Sequence, residues 1–221
     1  DKKLTEKTFE IAQKKLIKAI KVLGWVDNDE YTDFIREPYH YSINAANLLR
    51  ALGGWVNILL GKENPYYYSH YKILKTLQNN HVLVKKVVDL FMMRFSPLRG
   101  NERLETKDKQ LYKKVSASIE KVIDPVERRI LKECVNFIQH ILSTNYFLFT
   151  KTGLAFRLSP HVLDEKYYPE KPFGIYFILG RNYRFFHVRW KDVSRGGLRV
   201  VVPAKKTEYD FSLSGLFDEV Y

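Results

Sequence analysis

Apolar residues recur every three or four positions as far as Phe149, and every second position beyond Thr150. A chain whose hydrophobic period switches once, from about 3.6 to 2, must bury a helical face against a sheet face. The expectation is an α+β fold: a mostly helical region over residues 1–146, followed over residues 147–221 by a β-strand meander that begins a mixed α/β domain.

In the first regime Phe9, Ala12, Leu16, Ile20 and Leu23 share one face, and Gly24 stands where a C-terminal cap belongs. Asn44 to Leu60, interrupted by Gly53 and Gly54, and His81 to Phe95 are further helices. The sharpest start signal is "DPVERRIL", with Asp124 as N-cap, Pro125 in the first helical position and Glu127 as in a capping box. From there Val126, Ile130, Cys134, Phe137 or Ile138, and Ile141 keep helical spacing, which makes Cys134 a core residue. "NPYYYSHYKIL" gathers four tyrosines around His70 and reads as amphipathic packing after a Pro-initiated helix.

In the second regime "GLAFRLSP" alternates and "FGIYFILG" suits a buried strand. "RNYRFFHVRW" puts Phe186, Val188 and Trp190 on one side and His187 and Arg189 on the other, after a short turn at Gly180, Arg181 and Asn182. "SRGGLRVVVP" is one more strand, ended by Pro203.

Charge is concentrated in this second regime. The chain carries a net charge of +12, and the window from Ile175 to Lys206 holds eight basic side chains against Asp192 alone. Such a concentration points to a site, whereas an even spread would point to solubility. If Arg195 to Val202 is extended, Arg195, Gly197 and Arg199 share one face, and the missing side chain at Gly197 leaves room between two guanidiniums for a carboxylate. The competing reading is a glycine-permitted bulge with solvated arginines.

Other chemistries find less support. The six histidines include no pair at metal-ligand spacing on a helix and no HExxH, so no metal is expected. There is no GxGxxG after a strand and no Walker A sequence to cradle a nucleotide phosphate. Basic residues interleaved with tyrosines leave a non-catalytic nucleic-acid-binding module as the alternative, although no RRM, KH or zinc-finger signature accompanies them. No apolar run approaches the ~20 residues of a membrane span. The single cysteine fits a reducing compartment, so an intracellular protein, cytoplasmic or mitochondrial, is expected. The chain opens at Asp1 without methionine, which suggests a piece of something longer.

Two stretches carry a resemblance. "LSTNYFLFTKTGLAFRLSP", then "YPEKPFGIYFILGRNYRFFHVRWKDVSRGGLRVV", resembles the large-subunit NAD-specific glutamate dehydrogenases over roughly Val126 to Val202. The order is specific: Thr-Asn-aromatic, a Phe-bearing strand, a Tyr-Pro and Lys-Pro linker, His-x-Arg, then Arg-Gly-Gly-x-Arg. The resemblance implies oxidative deamination of L-glutamate to 2-oxoglutarate and ammonia, with NAD as hydride acceptor, in a homo-oligomeric parent enzyme without a metal. The smaller hexameric relatives read Lys-Gly-Gly-x-Arg, and the lysine there helps hold a substrate carboxylate. Carried over, that role falls to Arg195, with Gly196 and Gly197 allowing close backbone approach and Arg199 as a second cation. His187 shares a strand face with Arg189 near the basic window, so the two either line the same cleft or His187 is a satisfied structural histidine. The family's catalytic lysine, in Gly-Gly-x-Lys-Gly, and its NAD-binding domain are expected beyond Tyr221. On that mapping residues 147–221 begin the substrate-binding domain, this piece holds no catalytic or cofactor-binding residue, and alone it is inactive.

Overall fold

The structure is a computed structural model. It describes residue 13 and residues 30–36, 38–61, 63–97, 104–148, 151, 153–166, 169–180, 183–189 and 198–203. Apart from Gln13, which is helical, the helix expected over Phe9 to Leu23 lies outside the described residues.

A 3₁₀ segment, Glu30–Ile35, precedes α1 (Ile43–Leu60), α2 (His70–Asn79), α3 (His81–Phe95), α4 (Leu104–Glu120) and α5 (Pro125–His140). Helix α1 is buried almost all round. Leu48, Leu49, Ala51, Leu52, Trp55 and Val56 are all closed to solvent, so small and large apolar side chains cover every side of it. Ser42 caps its start, the hydroxyl oxygen accepting from the Ala45 N–H at 3.2 Å.

Gly53 and Gly54 do not interrupt α1; the helix runs straight through them. Gly53 is there because the phenol of Tyr31 lies against it: a Cβ at that position would overlap the Tyr31 hydroxyl oxygen and sit 3.0 Å from its Cζ.

Helix α2 begins at His70 rather than at Pro65. Ser69 caps it by accepting from the Lys72 N–H at 3.2 Å. Pro65 sits instead in a turn held by Asn64, whose Oδ1 accepts from the amides of Tyr66 at 3.1 Å and Tyr67 at 3.0 Å. Of the four tyrosines only Tyr68 is buried, while Tyr66 is 82% and Tyr71 70% exposed, so this cluster is mainly surface and not packing.

Helix α5 starts as the sequence indicates. Asp124 Oδ1 accepts from the amides of Val126 at 2.8 Å and Glu127 at 3.2 Å, and Lys72 of α2 donates to Asp124 Oδ2 at 2.9 Å. That contact holds the Asp124 carboxyl below its ordinary pKa. Asn80, between α2 and α3, donates to Glu127 Oε2 at 2.9 Å, so the start of α5 is tied to both helices.

The helical period ends earlier than the spacing suggests. Ile141 is buried, but as the first residue of strand β1 (Ile141–Thr144), which follows α5 with no loop. A buried residue three or four positions after the last helical contact fits either period, so spacing alone cannot separate the two.

Strands β2 (Gly153–Leu158), β3 (Gly174–Gly180), β4 (Tyr183–Arg189) and β5 (Leu198–Pro203) complete an antiparallel sheet in the order β1-β2-β3-β4-β5. This is the α+β plan and the meander that the change of period demands. Leu154, Phe156 and Leu158 of β2, Ile175, Phe177 and Leu179 of β3, and Val188 of β4 are buried on the inner face. They meet the helices through an aromatic cluster: Phe137 of α5 stands edge-on to Phe156 at 5.0 Å, and Trp55 of α1 lies 5.3 Å from Phe137 and 6.2 Å from Phe177. Helices and sheet therefore share one core.

Candidate functional site

Alternation along the strands sorts the basic window onto two faces. Arg184 pairs in register with Leu179 and lies on the inner face, where its Nη1 is 3.2 Å from His70 Nε2 at the start of α2. That guanidinium belongs to the packing between sheet and helices. Sequence alternation placed it there in principle, but only the fold shows what it meets.

The outer face holds His187, Arg189 and Arg199. Gly174 pairs with Arg189 and Tyr176 with His187 across β3 and β4, and His187 pairs with Arg199 across β4 and β5. On the other side Tyr176 pairs with Arg157 of β2. One row thus crosses four strands: Arg157, Tyr176, His187, Arg199. His187 and Arg199 are register partners, and Arg189 lies on the same face of β4 as His187.

Local contacts set this row. His187 stands edge-on to Tyr176, with ring centroids 5.7 Å apart, and lies nearly parallel to Phe185, its same-face neighbour two residues earlier, at 6.4 Å. The Arg189 guanidinium lies 5.1 Å from the ring centroid of Phe173, and the Phe173 N–H donates to the Arg189 carbonyl at 2.6 Å. Both His187 and Arg189 are half-buried, whereas Arg157 is exposed. Strands β2 to β5 contain no aspartate or glutamate, so the side chains that the strands themselves bring to this face include cations and aromatic rings but no carboxylate. Arrays of this kind bind anions.

Arg195, Gly196 and Gly197 lie outside the described residues, as do Trp190 and the turn residues Arg181 and Asn182. Tyr176, Arg157 and Phe173 are the neighbours that sequence reasoning missed. Their signal was present as alternation within each strand, but a row across strands needs the register, which single-strand patterns do not carry.

Other groups show no reactive arrangement. Cys134 is fully buried and burial pushes its thiol well above the ordinary range, which disfavours the thiolate. Among the described residues no three His, Cys, Asp or Glu side chains are placed to hold a metal ion, and no helix is long and apolar enough to cross a membrane. An antiparallel meander also lacks the strand–glycine loop–helix unit that seats a dinucleotide, so the described residues do not fit NAD.

Thr144, Asn145 and Tyr146 have structural tasks. The Asn145 side chain accepts from the Ala155 N–H at 2.8 Å and donates to the Gly153 carbonyl at 2.9 Å, continuing the ladder of β2 beyond β1. Thr144 Oγ1 accepts from the Tyr146 N–H at 3.2 Å, and Tyr146 is buried edge-on against Phe91 of α3 at 4.7 Å.

Residues 114–217 match the family described as "Bacterial NAD-glutamate dehydrogenase, catalytic domain". The chain is 39% identical over 115 residues to glutamate dehydrogenase 2 of Dictyostelium discoideum, covering 52% of this chain and 11% of that protein. It is 38% identical over 99 residues to the NAD-specific glutamate dehydrogenase of Saccharomyces cerevisiae, covering 44% and 9%. The NAD-specific enzyme of Mycobacterium tuberculosis is 28% identical over 159 residues, covering 69% and 9%. The aligned stretch is about a tenth of the length of these relatives. The family match over residues 114–217 takes in all five strands, the Arg-Gly-Gly-x-Arg segment and the Thr-Asn-Tyr stretch, and there the chain is similar to the catalytic domain of the NAD-specific glutamate dehydrogenases.

Proposed function

We propose that the outer face of β3 to β5 forms one wall of the glutamate and 2-oxoglutarate cleft in an NAD-dependent glutamate dehydrogenase. The observation that carries this reading is the cross-strand pairing of His187 with Arg199 beside Arg189, on a face whose strands carry no carboxylate. A dicarboxylate substrate needs fixed cations, and arginines on paired strands are held at a set spacing. Arg195 and Arg199 neutralise substrate carboxylate, Gly196 and Gly197 let the backbone approach it, and His187 and Arg189 line the wall. Hydride transfer to NAD and proton transfer at the α-carbon fall to other parts of the enzyme, so residues 1–221 alone bind without turning substrate over.

The test is steady-state kinetics on the full-length enzyme. Arg195→Ala and Arg199→Ala are each expected to raise KM for glutamate by about tenfold or more, the loss of one charge-assisted contact. Unchanged KM and kcat in both variants return the arginines to a solvated strand edge.

A further inference from the structure

Phe173, one residue before β3, leaves its ring in the open. It is 52% exposed and takes no part in the core, so burial does not account for a phenylalanine there. Its contacts do. The Arg189 guanidinium lies over the ring, 5.1 Å from the centroid. This is closer than Arg94 to Phe95 or Arg129 to Tyr68, both at 5.6 Å. Arg94 and Phe95 are also chain neighbours, whereas Phe173 and Arg189 meet only because β3 pairs with β4.

The backbone holds the two residues together from both sides. The Phe173 N–H donates to the Arg189 carbonyl at 2.6 Å, and the next residue, Gly174, is the register partner of Arg189. The stretch leading into Phe173 is anchored as well. Pro172 is buried and its ring fixes φ, while Lys171 Nζ donates to Glu165 Oε1 at 2.6 Å and sits 3.1 Å from His161 Nδ1. The ring is thus carried by a tethered segment beside the last residue of β4.

A long arginine side chain loses rotamer freedom when it takes a carboxylate, and that loss weakens binding. A ring beneath the guanidinium removes part of the freedom beforehand. The attraction runs through the ring face and occupies none of the N–H donors, so it restrains the side chain whatever hydrogen bonds Arg189 makes.

We infer that Phe173 is a positioning residue of the substrate wall, its ring holding the Arg189 guanidinium in place for a carboxylate of the substrate. The inference rests on the proposed reading of the outer face and adds to it a residue that touches the wall without forming it.

Steady-state kinetics on the full-length enzyme tests it. Phe173→Leu keeps an apolar side chain and loses the ring, and should raise KM for glutamate by about two- to fivefold with kcat unchanged. Phe173→Tyr keeps the ring face and should keep the natural KM. Arg189→Ala should raise KM further, and adding Phe173→Leu to it should change nothing more, because the ring then has no guanidinium to hold. Phe173 lies outside the core, and thermal melts check that each variant folds. The inference is overturned by an unchanged KM in Phe173→Leu, by Phe173→Tyr behaving like Phe173→Leu, or by Phe173→Leu raising KM as much without Arg189 as with it. If Arg189→Ala still raises KM in those cases, the substrate wall stands and only the role of Phe173 is lost. An unchanged KM in Arg189→Ala removes Arg189 from the wall, and the inference with it.

Discussion

At the scale of the residue, the two adjacent glycines of α1 answer different demands. A methyl group at Gly53 would run into Tyr31, whose ring is buried between α1 and the 3₁₀ segment and 6.2 Å from Phe34. At Gly54 the nearest atoms to such a methyl are Arg184 Nε at 3.6 Å and Phe177 Cζ at 3.7 Å, ordinary contact distances. Alanine is the better helix former by about 1 kcal/mol. Gly53→Ala should therefore destabilise the fold by about 1–3 kcal/mol through overpacking. Gly54→Ala should be neutral or stabilising by up to about 1 kcal/mol. Urea denaturation of the two variants separates them, and equal effects would remove the distinction. From the sequence the pair looked like one interruption, because what separates the two positions is Tyr31, some twenty residues away and on no shared pattern.

At the scale of the element, helix starts and strands were legible where the signal is local. Asp124 and Pro125 fix the beginning of α5 within a few residues, and alternation gives β2, β3 and β4 their buried faces. Helix starts are not legible where two local signals compete. Pro65 offers a helix start, but Asn64 folds its amide neighbours into a turn first, and Ser69 then caps the helix. The Thr-Asn-Tyr stretch is visible as a motif, but no local signal shows its work, which is a side chain acting as backbone. Asn145 occupies both an N–H and a carbonyl of β2, and no pattern of hydrophobicity reports that. Asn145→Ala leaves both groups without their side-chain partner and should cost about 1–3 kcal/mol. Asn145→Asp keeps the acceptor but loses the donor, and should fall between alanine and the natural residue. Amide hydrogen exchange gives the readout, with protection lost first at Ala155 in the alanine variant and kept there in the aspartate variant, which retains the acceptor. Unchanged protection there in the alanine variant would mean that the clamp holds nothing.

At the scale of the whole molecule, the change of period near Thr150 suggested two regions, and the structure joins the described parts of both through one core. Trp55 comes from the helical half and Phe156 and Phe177 from the sheet, with Phe137 in contact with all three. Phe137 is fully buried, and the register of the sheet sets which rings it meets. The outer face depends on the same packing, because strands that alternate present Tyr176 and His187 outward only while Phe177 and Val188 remain fixed inward. Two independently folding regions would unfold in separate steps, and a shared core would not. Phe137→Ala should thus cost about 3–5 kcal/mol and should lower the stability of helices and strands together. Urea unfolding followed by hydrogen exchange at α1 peptides and at β2 and β3 peptides should give one common midpoint in the natural chain. The same coincidence, at lower urea, is expected in the variant. A sheet that lost protection while α1 kept it would show that the helices stand without the strands, and the outer face would then lack the support that its row of side chains requires.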